Sequence, residues 1–147
     1  MLRYTADLKL PSSISAAERE VRVEEVIQML DLESCRKTVI GGTLSRGISG
    51  GQAKRVNIGL ALVTRPPVLF LDEPTSGLDS RVADEVVELL RQLAHESNRT
   101  IVCTIHSPTG HAFSLFDELY MIHKGETIYD GPINKAQSYF ENHGNTR

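Results

Sequence analysis

The sequence predicts an α/β fold with a parallel sheet, because patterns typical of buried strands alternate with patterns typical of helices. The first strand is predicted over residues 68–71, a continuous apolar run that is typical of a strand buried on both faces. A helical pattern follows, and a second strand is predicted over residues 100–105. Asp72 and Glu73, which come directly after the first run, therefore belong at the carboxyl end of a sheet strand.

Composition and charge exclude several classes of protein. The chain has 147 residues, of which 40% are hydrophobic and 24% are charged, as in an ordinary globular domain. A net charge of -3 without a basic block argues against nucleic acid as a partner. No apolar run approaches the roughly 20 residues that span a bilayer, and Cys35 and Cys103 form no CxxC pair.

The first half of the chain is predicted to be helical. Ser15 and Glu18 have the spacing of a capping box, which marks the start of a helix. The apolar residues of this helix recur with helical spacing: Val23, Val26, Ile27 and Leu30. A glycine-rich loop is expected over residues 41–51, and a second helix then runs to Pro66-Pro67. One face of that helix is expected to carry Val56, Leu60 and Val63.

The second half alternates between helices and strands. The helix after the first strand has an apolar stripe of Val82, Val86, Leu89, Leu90 and Leu93. Short strands at residues 119–123 and 127–129 flank Lys124-Gly125-Glu126, which predicts a hairpin. A last helix is expected to start at Pro132 and to end at Gly144. Its apolar face would carry Ile133, Ala136 and Phe140.

The end of the first strand carries the string LDEPTSGLD, from Leu71 to Asp79. An acidic pair after an apolar strand, taken alone, is about as consistent with a loop cap as with a Walker B motif. In a Walker B motif, one carboxylate serves Mg²⁺ and the next serves a water. The residues after Glu73 favour the motif, because the whole string closely resembles the Walker B and D-loop block of ATP-binding cassette proteins.

Upstream, Ile48-Ser49-Gly50-Gly51-Gln52 resembles the cassette signature, which usually reads LSGGQ. Ser49 and Gln52 have capping-box spacing, and the two glycines leave backbone N–H groups open to an anion at a helix N-terminus. Taken alone, this pattern is more often a glycine-rich helix cap that binds no ligand. The position of the string ahead of the Walker B strand favours the signature instead. His106 ends the second predicted strand in TIHSP. A single histidine there is more often structural, and its position after the D-loop favours the switch histidine of the same proteins.

Together these motifs make the chain similar to the ATP-binding cassettes of ABC transporters, and nearest to the ABCG, or white-brown, subfamily. RGISGGQAKRVNIG, LFLDEPTSGLDS, TIHSP and FDELYMIHKGETIYDG read much like the corresponding segments there. The departures are small: Ile48 replaces the usual Leu, and Ser107 stands where Gln is frequent. The resemblance implies a partial P-loop NTPase (RecA-like) nucleotide-binding domain. Residues 1–65 would be the helical subdomain with the signature, and residues 66–147 the C-terminal part of the ATPase core.

The resemblance also implies a role for each matched residue. Asp72 would hold Mg²⁺ through water, Glu73 would polarise the attacking water, and His106 would contact the γ-phosphate of ATP and steady Glu73. Two cassettes of this family face each other head to tail, so each signature closes over the nucleotide of its partner. Asp79 would lie at the seam of that dimer. The residues expected to bind the partner's nucleotide are Ser49, Gly50, Gly51 and Gln52.

An ABC-type ATPase associated with the cytoplasmic face of a membrane is therefore expected, which couples ATP hydrolysis to substrate transport. Its partners would be a second nucleotide-binding domain and a transmembrane domain of the same or another chain. The phosphate-loop pattern, GxxxxGKS or GxxxxGKT, does not occur in the sequence. The chain alone is therefore predicted to be inactive. Its sheet would have an empty slot between residues 100–105 and 119–123, unless the hairpin pairs directly onto the second strand.

Two other classes of protein stay open. A truncated, catalytically incompetent cassette would act only by docking on other cassettes, and an in-frame phosphate loop upstream of Met1 in the coding sequence would argue against it. Chromosome-maintenance ATPases share the signature and the Walker B motif. They join the motif halves through long heptad coiled coils, and no such pattern begins in this sequence.

Overall fold

The computed structural model describes residues 1–41 and 47–143, and the chain divides into two compact units, Met1–His106 and Ser107–Arg147. The first unit contains α1 (Leu2–Lys9), α2 (Ala16–Met29), a 3₁₀ turn (Glu33–Cys35), α3 (Gly50–Leu62), β1 (Val68–Leu71), α4 (Ser80–Glu96) and β2 (Thr100–Cys103). The second contains α5 (Gly110–Ser114), β3 (Glu118–His123), β4 (Glu126–Pro132) and α6 (Ile133–His143). Among the residues described, no helix is both long and apolar enough to cross a membrane.

Helix α2 begins where the capping box predicts. The Ser15 hydroxyl accepts a hydrogen bond from the Glu18 N–H at 3.3 Å, and the Glu18 carboxylate accepts one from the Ser15 N–H at 2.8 Å. The predicted apolar stripe is also confirmed, since the residues that α2 and its C-cap bury are Val23, Val26, Ile27 and Leu30. The sequence therefore predicted both the start and the buried face of this helix.

Helix α1 was not predicted from the sequence. It is short and has no side-chain cap, so packing rather than local sequence stabilises it. Leu2, Ala6 and Leu10 are buried in the core that α1 shares with α2 and α3. The Arg19 guanidinium donates hydrogen bonds to the backbone carbonyls of residues 7, 11 and 14, each at 3.0 Å, and so fixes the loop between α1 and α2.

Helix α3 forms as predicted, but its buried face is different. Val63 at its C-cap is buried as expected, whereas Val56 and Leu60 are only half-buried. Ile58 and Leu62 take the central positions instead. The reason is that α3 packs against α1, α2 and α4, so neighbours cover more of its circumference than one stripe. Most of the predicted glycine-rich loop before α3 lies outside the described residues.

Strands β1 and β2 pair in parallel, as predicted, and Val68 lies opposite Thr100 in the register. The prediction that β1 is buried on both faces is wrong. Leu69 is 4% exposed and packs on the helices, whereas Phe70 is 75% exposed and Val102 beside it is 46% exposed. Successive strand residues point to opposite faces, and helix α4 packs on the Leu69 side. The other face carries no layer from the described part of this unit.

The second unit contains the predicted hairpin. Strands β3 and β4 are antiparallel, and His123 pairs with Glu126 across a turn formed by Lys124 and Gly125. Both turn residues have positive φ, 49° and 86°, as a two-residue type I′ turn requires. Helix α6 begins directly after Pro132, as predicted, while its expected end at Gly144 lies outside the described residues.

The strands form two separate sheets, β1 with β2 and β3 with β4. The empty slot between residues 100–105 and 119–123, and its alternative of direct pairing, both stay predictions. The two subdomains expected at residues 1–65 and 66–147 also stay a prediction, although the described residues before Val68 form helices and no strand.

Candidate functional site

The predicted Walker B carboxylates follow β1 and lie at the carboxyl end of the parallel sheet. Both Asp72 and Glu73 are exposed. Leu71 pairs with Cys103, so Thr104 lies beside Asp72 just beyond the ends of the two strands. The Thr104 hydroxyl lies 2.6 Å from Asp72 Oδ1 and 2.9 Å from the Glu73 backbone nitrogen. One threonine from the neighbouring strand thus contacts both members of the acidic pair.

Glu73 has an unusual backbone conformation. Its φ is 45°, in the left-handed region that residues with a Cβ seldom adopt. Its carbonyl accepts a hydrogen bond from the Ser76 N–H at 3.1 Å and lies 3.3 Å from Lys54 Nζ on α3. Since such conformations persist only where the surroundings fix them, the peptide of Glu73 is held by contacts outside its own strand.

The chemistry of this strand end fits Mg²⁺. Mg²⁺ prefers oxygen ligands and usually keeps several waters, and proteins hold it with one or two carboxylates plus substrate phosphates. Asp72 offers an exposed carboxylate, of which only Oδ1 accepts the Thr104 hydroxyl, and a carboxylate has a second oxygen to offer. Residues 1–41 and 47–143 contain no group of three or more His, Cys, Asp or Glu arranged to hold a metal. A single exposed carboxylate such as that of Asp72 suits an ion whose other ligands are nucleotide and water.

The predicted signature forms the N-terminus of α3. The Ser49 hydroxyl accepts from the Gln52 N–H at 3.1 Å, and Gln52 Oε1 accepts from the Ser49 N–H at 2.9 Å, so the predicted capping box is confirmed. Both residues are on the surface or near it. The first turn contains no acidic residue, which leaves the positive end of the helix dipole uncompensated there.

The glycine at position 51 has a packing role that the sequence did not indicate. A Cβ on Gly51 would lie 2.7 Å from Val82 Cγ1, closer than real side chains approach. Val82 is in the first turn of α4, whose N-cap is Asp79, with Oδ1 accepting from the Val82 N–H at 3.0 Å. The signature helix and the helix after the D-loop are therefore in direct contact.

His106 follows β2, two positions after Thr104, and its side chain is exposed. The predicted contact of His106 with Glu73 stays a prediction, as do the roles assigned to the signature residues and to Asp79. Sequence reasoning missed Thr104 and Lys54. Thr104 could have been found, because the ends of two adjacent parallel strands lie side by side. Lys54 could not, because its approach to Glu73 depends on how α3 packs.

Comparison with known proteins agrees with these motifs. The family profile described as "ABC transporter" matches residues 3–76, which is half of the chain, and an AAA domain profile matches residues 44–109. The first match includes the signature and the Walker B strand. The second extends past the end of β2.

Curated relatives cover almost the whole chain. ABC transporter G family member 13 of Arabidopsis thaliana is 46% identical over 139 residues, which are 95% of this chain and 20% of that protein. ABC transporter G family member 14 of the same plant is 44% identical over 97% of this chain and 22% of its own length. A Saccharomyces cerevisiae protein named "Probable ATP-dependent permease" is 44% identical over 95% of this chain and 13% of its own length. The chain thus spans about a fifth of the length of the plant relatives.

Solved structures show the same architecture. The structure of cbiO1 from Clostridium perfringens, part of the ABC transporter complex cbiONQ, superposes with a TM-score of 0.77 and 25% identity, over 93% of this chain and 51% of that one. An ATP-binding cassette of an ABC transporter in its ADP conformation gives a TM-score of 0.66 and 25% identity, over 82% of this chain and 46% of that one. The chain therefore belongs to the ABC transporter family, is of the ABCG type, and has part of the P-loop NTPase fold of an ATP-binding cassette.

Proposed function

We propose that this chain supplies hydrolytic carboxylates and a signature motif to the ATPase of an ABCG-type membrane transporter. The observation that carries the proposal is the acidic pair after β1. Asp72 and Glu73 extend from the carboxyl end of a parallel sheet, and Thr104 of the adjacent strand contacts both. The family to which the chain belongs supports this reading.

Each carboxylate has its own task in the proposed reaction. Asp72 would hold Mg²⁺ through water, and the ion would supply positive charge to the phosphates of ATP. Glu73 orients and polarises the water that attacks the γ-phosphate, and such general-base assistance typically contributes about 10²–10⁴ in rate. His106, just beyond β2, contacts the γ-phosphate and steadies Glu73.

The signature acts on the nucleotide of a second cassette. Ser49 and Gln52 frame the N-terminus of α3, where backbone N–H groups and the helix dipole favour an anion. Gly50 and Gly51 allow that anion to approach the backbone. A head-to-tail dimer brings this end of α3 to the partner's ATP, and Asp79 then lies at the dimer seam.

Transport follows if the cassette dimer is coupled to a transmembrane domain. Relatives are named ABC transporters of the G family, and one is named an ATP-dependent permease. We place the chain on the cytoplasmic face of a membrane, with the transmembrane domain in the same or a partner chain. That the isolated 147-residue chain is inactive stays a prediction. Because the sequence has no phosphate-loop pattern, we expect the isolated chain to show no measurable binding of MgATP, and micromolar affinity in isothermal titration would contradict this.

The proposal is tested by Glu73→Gln in the full-length transporter. The amide keeps the shape of the side chain but is not a base, so ATP turnover should fall about 10²–10⁴-fold while ATP binding is retained. The matched control is Glu126→Gln, which changes another exposed glutamate, on the hairpin. A near-normal ATPase rate for Glu73→Gln would assign the base to another residue.

A further inference from the structure

Two residues from other parts of the first unit hold the peptide of Glu73: Thr104, just after β2, and Lys54, on α3. Both lie in segments that resemble the family, but the resemblance assigned no role to either of them. We propose that Thr104 and Lys54 are positioning residues for ATP hydrolysis, which keep Glu73 in its left-handed conformation and so fix where its carboxylate lies. This inference rests on the proposed function, because it concerns the same reaction.

The backbone of Glu73 needs external support. A residue with a Cβ is disfavoured at a φ of 45°, because the side chain crowds its own backbone there. The turn that begins at Glu73 provides one hydrogen bond, from the Ser76 N–H to the Glu73 carbonyl. The N–H of Glu73 and the second lone pair of its carbonyl are then engaged by Thr104 and Lys54.

Thr104 connects the two carboxylate residues through a single hydroxyl. A backbone N–H can only donate, so Thr104 Oγ1 accepts from Glu73, and its own hydrogen is then directed to Asp72 Oδ1 at 2.6 Å. The hydroxyl thus fixes the Glu73 backbone relative to the Asp72 carboxylate. In the proposed reaction Asp72 would hold Mg²⁺ and Glu73 would hold the attacking water, so the relative position of these two residues matters for the rate.

Lys54 brings the signature helix into the same arrangement. It lies on α3, whose position is set by the close contact of Gly51 with Val82 and by the 3.7 Å ion pair of Arg55 with Glu85 on α4. Lys54 Nζ lies 3.3 Å from the Glu73 carbonyl. Helix α3 begins with the signature, which in the proposed function acts on the nucleotide of the partner. Lys54 therefore connects the signature helix to Glu73, which acts on the nucleotide of its own cassette. A displacement of α3 would therefore change the contact between Lys54 and the carbonyl of Glu73.

The experiment measures steady-state ATP hydrolysis by the full-length transporter. Thr104→Val removes the hydroxyl but keeps the shape, and Thr104→Ser restores the hydroxyl. The control, Thr100→Val, makes the same change at an exposed threonine within β2. Lys54→Met removes the charged amine, and Lys54→Arg restores a positive charge. The control, Lys37→Met, makes the first change at another lysine of the same unit.

We expect Thr104→Val to lower kcat about tenfold, as the loss of a charge-assisted hydrogen bond predicts, and to change KM for ATP less than about twofold. Thr104→Ser should recover most of that loss, and Thr100→Val should match the wild type. Lys54→Met should lower kcat about threefold, because the contact is partly solvated, and Lys54→Arg should recover it. A residue that only stabilised the fold would not give this separation of kcat from KM with rescue by the conservative variant.

Two results separate this inference from the function on which it rests. An ATPase that needs Glu73 but tolerates Thr104→Val, with kcat within about twofold of the wild type, overturns the inference alone. A full-length protein whose turnover is indifferent to Glu73→Gln overturns the proposed function and this inference with it. If Thr104→Val does not assemble, Lys54→Met carries the test, and an unchanged kcat overturns the inference in the same way.

Discussion

The two ends of the candidate site, the carboxylates after β1 and the signature at the start of α3, are built in different ways. The signature is local: Ser49 and Gln52 satisfy each other's backbone N–H groups within one helical turn. The carboxylate end depends on distant parts of the chain. Thr104, just after β2, contacts both Asp72 and Glu73, and Lys54 on α3 contacts the carbonyl of Glu73. A local arrangement persists wherever its helix forms. The carboxylate end, in contrast, needs the whole first unit to be folded.

The largest effect is expected at the carboxylate end. Asp72→Asn removes the charge that would hold Mg²⁺ but keeps an oxygen near Thr104, so turnover should fall about 10²-fold or more. The Mg²⁺ concentration needed for half-maximal activity should rise, and titrating the full-length protein with Mg²⁺ measures it. An Asp72→Asn protein with unchanged Mg²⁺ dependence would remove Asp72 from the metal site.

A substitution at Gly51 tests whether the signature end is as local as its hydrogen bonds suggest. Gly51→Ala would put a methyl group 2.7 Å from Val82 Cγ1, and such overpacking typically costs about 1–3 kcal/mol. Val82→Ala should make room for that methyl group. Calorimetric unfolding should therefore show a lower Tm for Gly51→Ala and partial recovery in the double variant. Simple additivity of the two substitutions would mean that the contact does not limit packing.

The two capping boxes of the first unit provide a matched pair. Ser15→Ala and Ser49→Ala each remove an N-cap hydroxyl that accepts from the N3 position, and each should cost about 1 kcal/mol of stability. Only Ser49→Ala should also slow ATP hydrolysis, since only Ser49 is assigned to a nucleotide. If both variants slow hydrolysis equally at equal loss of Tm, Ser49 has only a capping role.

The smallest effect concerns acid stability at the α2 cap. Hydrogen bonds from the Ser15 hydroxyl and N–H lower the pKa of Glu18 from its ordinary value of 4.5. Because the folded pKa is the lower one, this contribution to stability is present above the unfolded pKa and is lost as the pH falls through the folded pKa. Glu18→Gln should therefore flatten the fall of Tm with acidification, whereas Glu126→Gln should not. If Tm falls with acidification equally in Glu18→Gln and in the wild type, the cap does not depend on ionised Glu18.

The features predicted correctly from the sequence are those that depend on residues close together in the chain. Both capping boxes, the turn at Lys124 and Gly125, and the parallel pairing of β1 with β2 follow from spacing, turn chemistry and apolar patterns. The acidic pair and the signature were found because they are contiguous strings.

Features that depend on packing were missed or predicted wrongly. Helix α1 has no cap and depends on its buried contacts, and an apolar run does not reveal that Phe70 has no cover from its own unit. The contact of Lys54 with Glu73 crosses from one helix to a strand end and leaves no pattern in the sequence. Phe70 and Val102 leave an apolar face of the β1–β2 sheet exposed in its own unit, and because exposed apolar patches favour association we expect the isolated chain to aggregate readily.

The central claim is that Glu73 acts on the nucleotide of its own cassette and the signature on that of the partner. It is tested most directly by placing two substitutions in one dimer. Full-length chains with different affinity tags would carry Glu73→Gln in one chain and Ser49→Arg in the other, or both substitutions in one chain with a wild-type partner. If the signature serves the partner's nucleotide, separate lesions damage the same composite site and leave the other intact, while lesions in one chain damage both sites. We expect faster ATP hydrolysis by the dimer with one substitution in each chain than by the dimer with both in one chain, and equal or reversed rates would contradict a signature that acts on the partner's nucleotide.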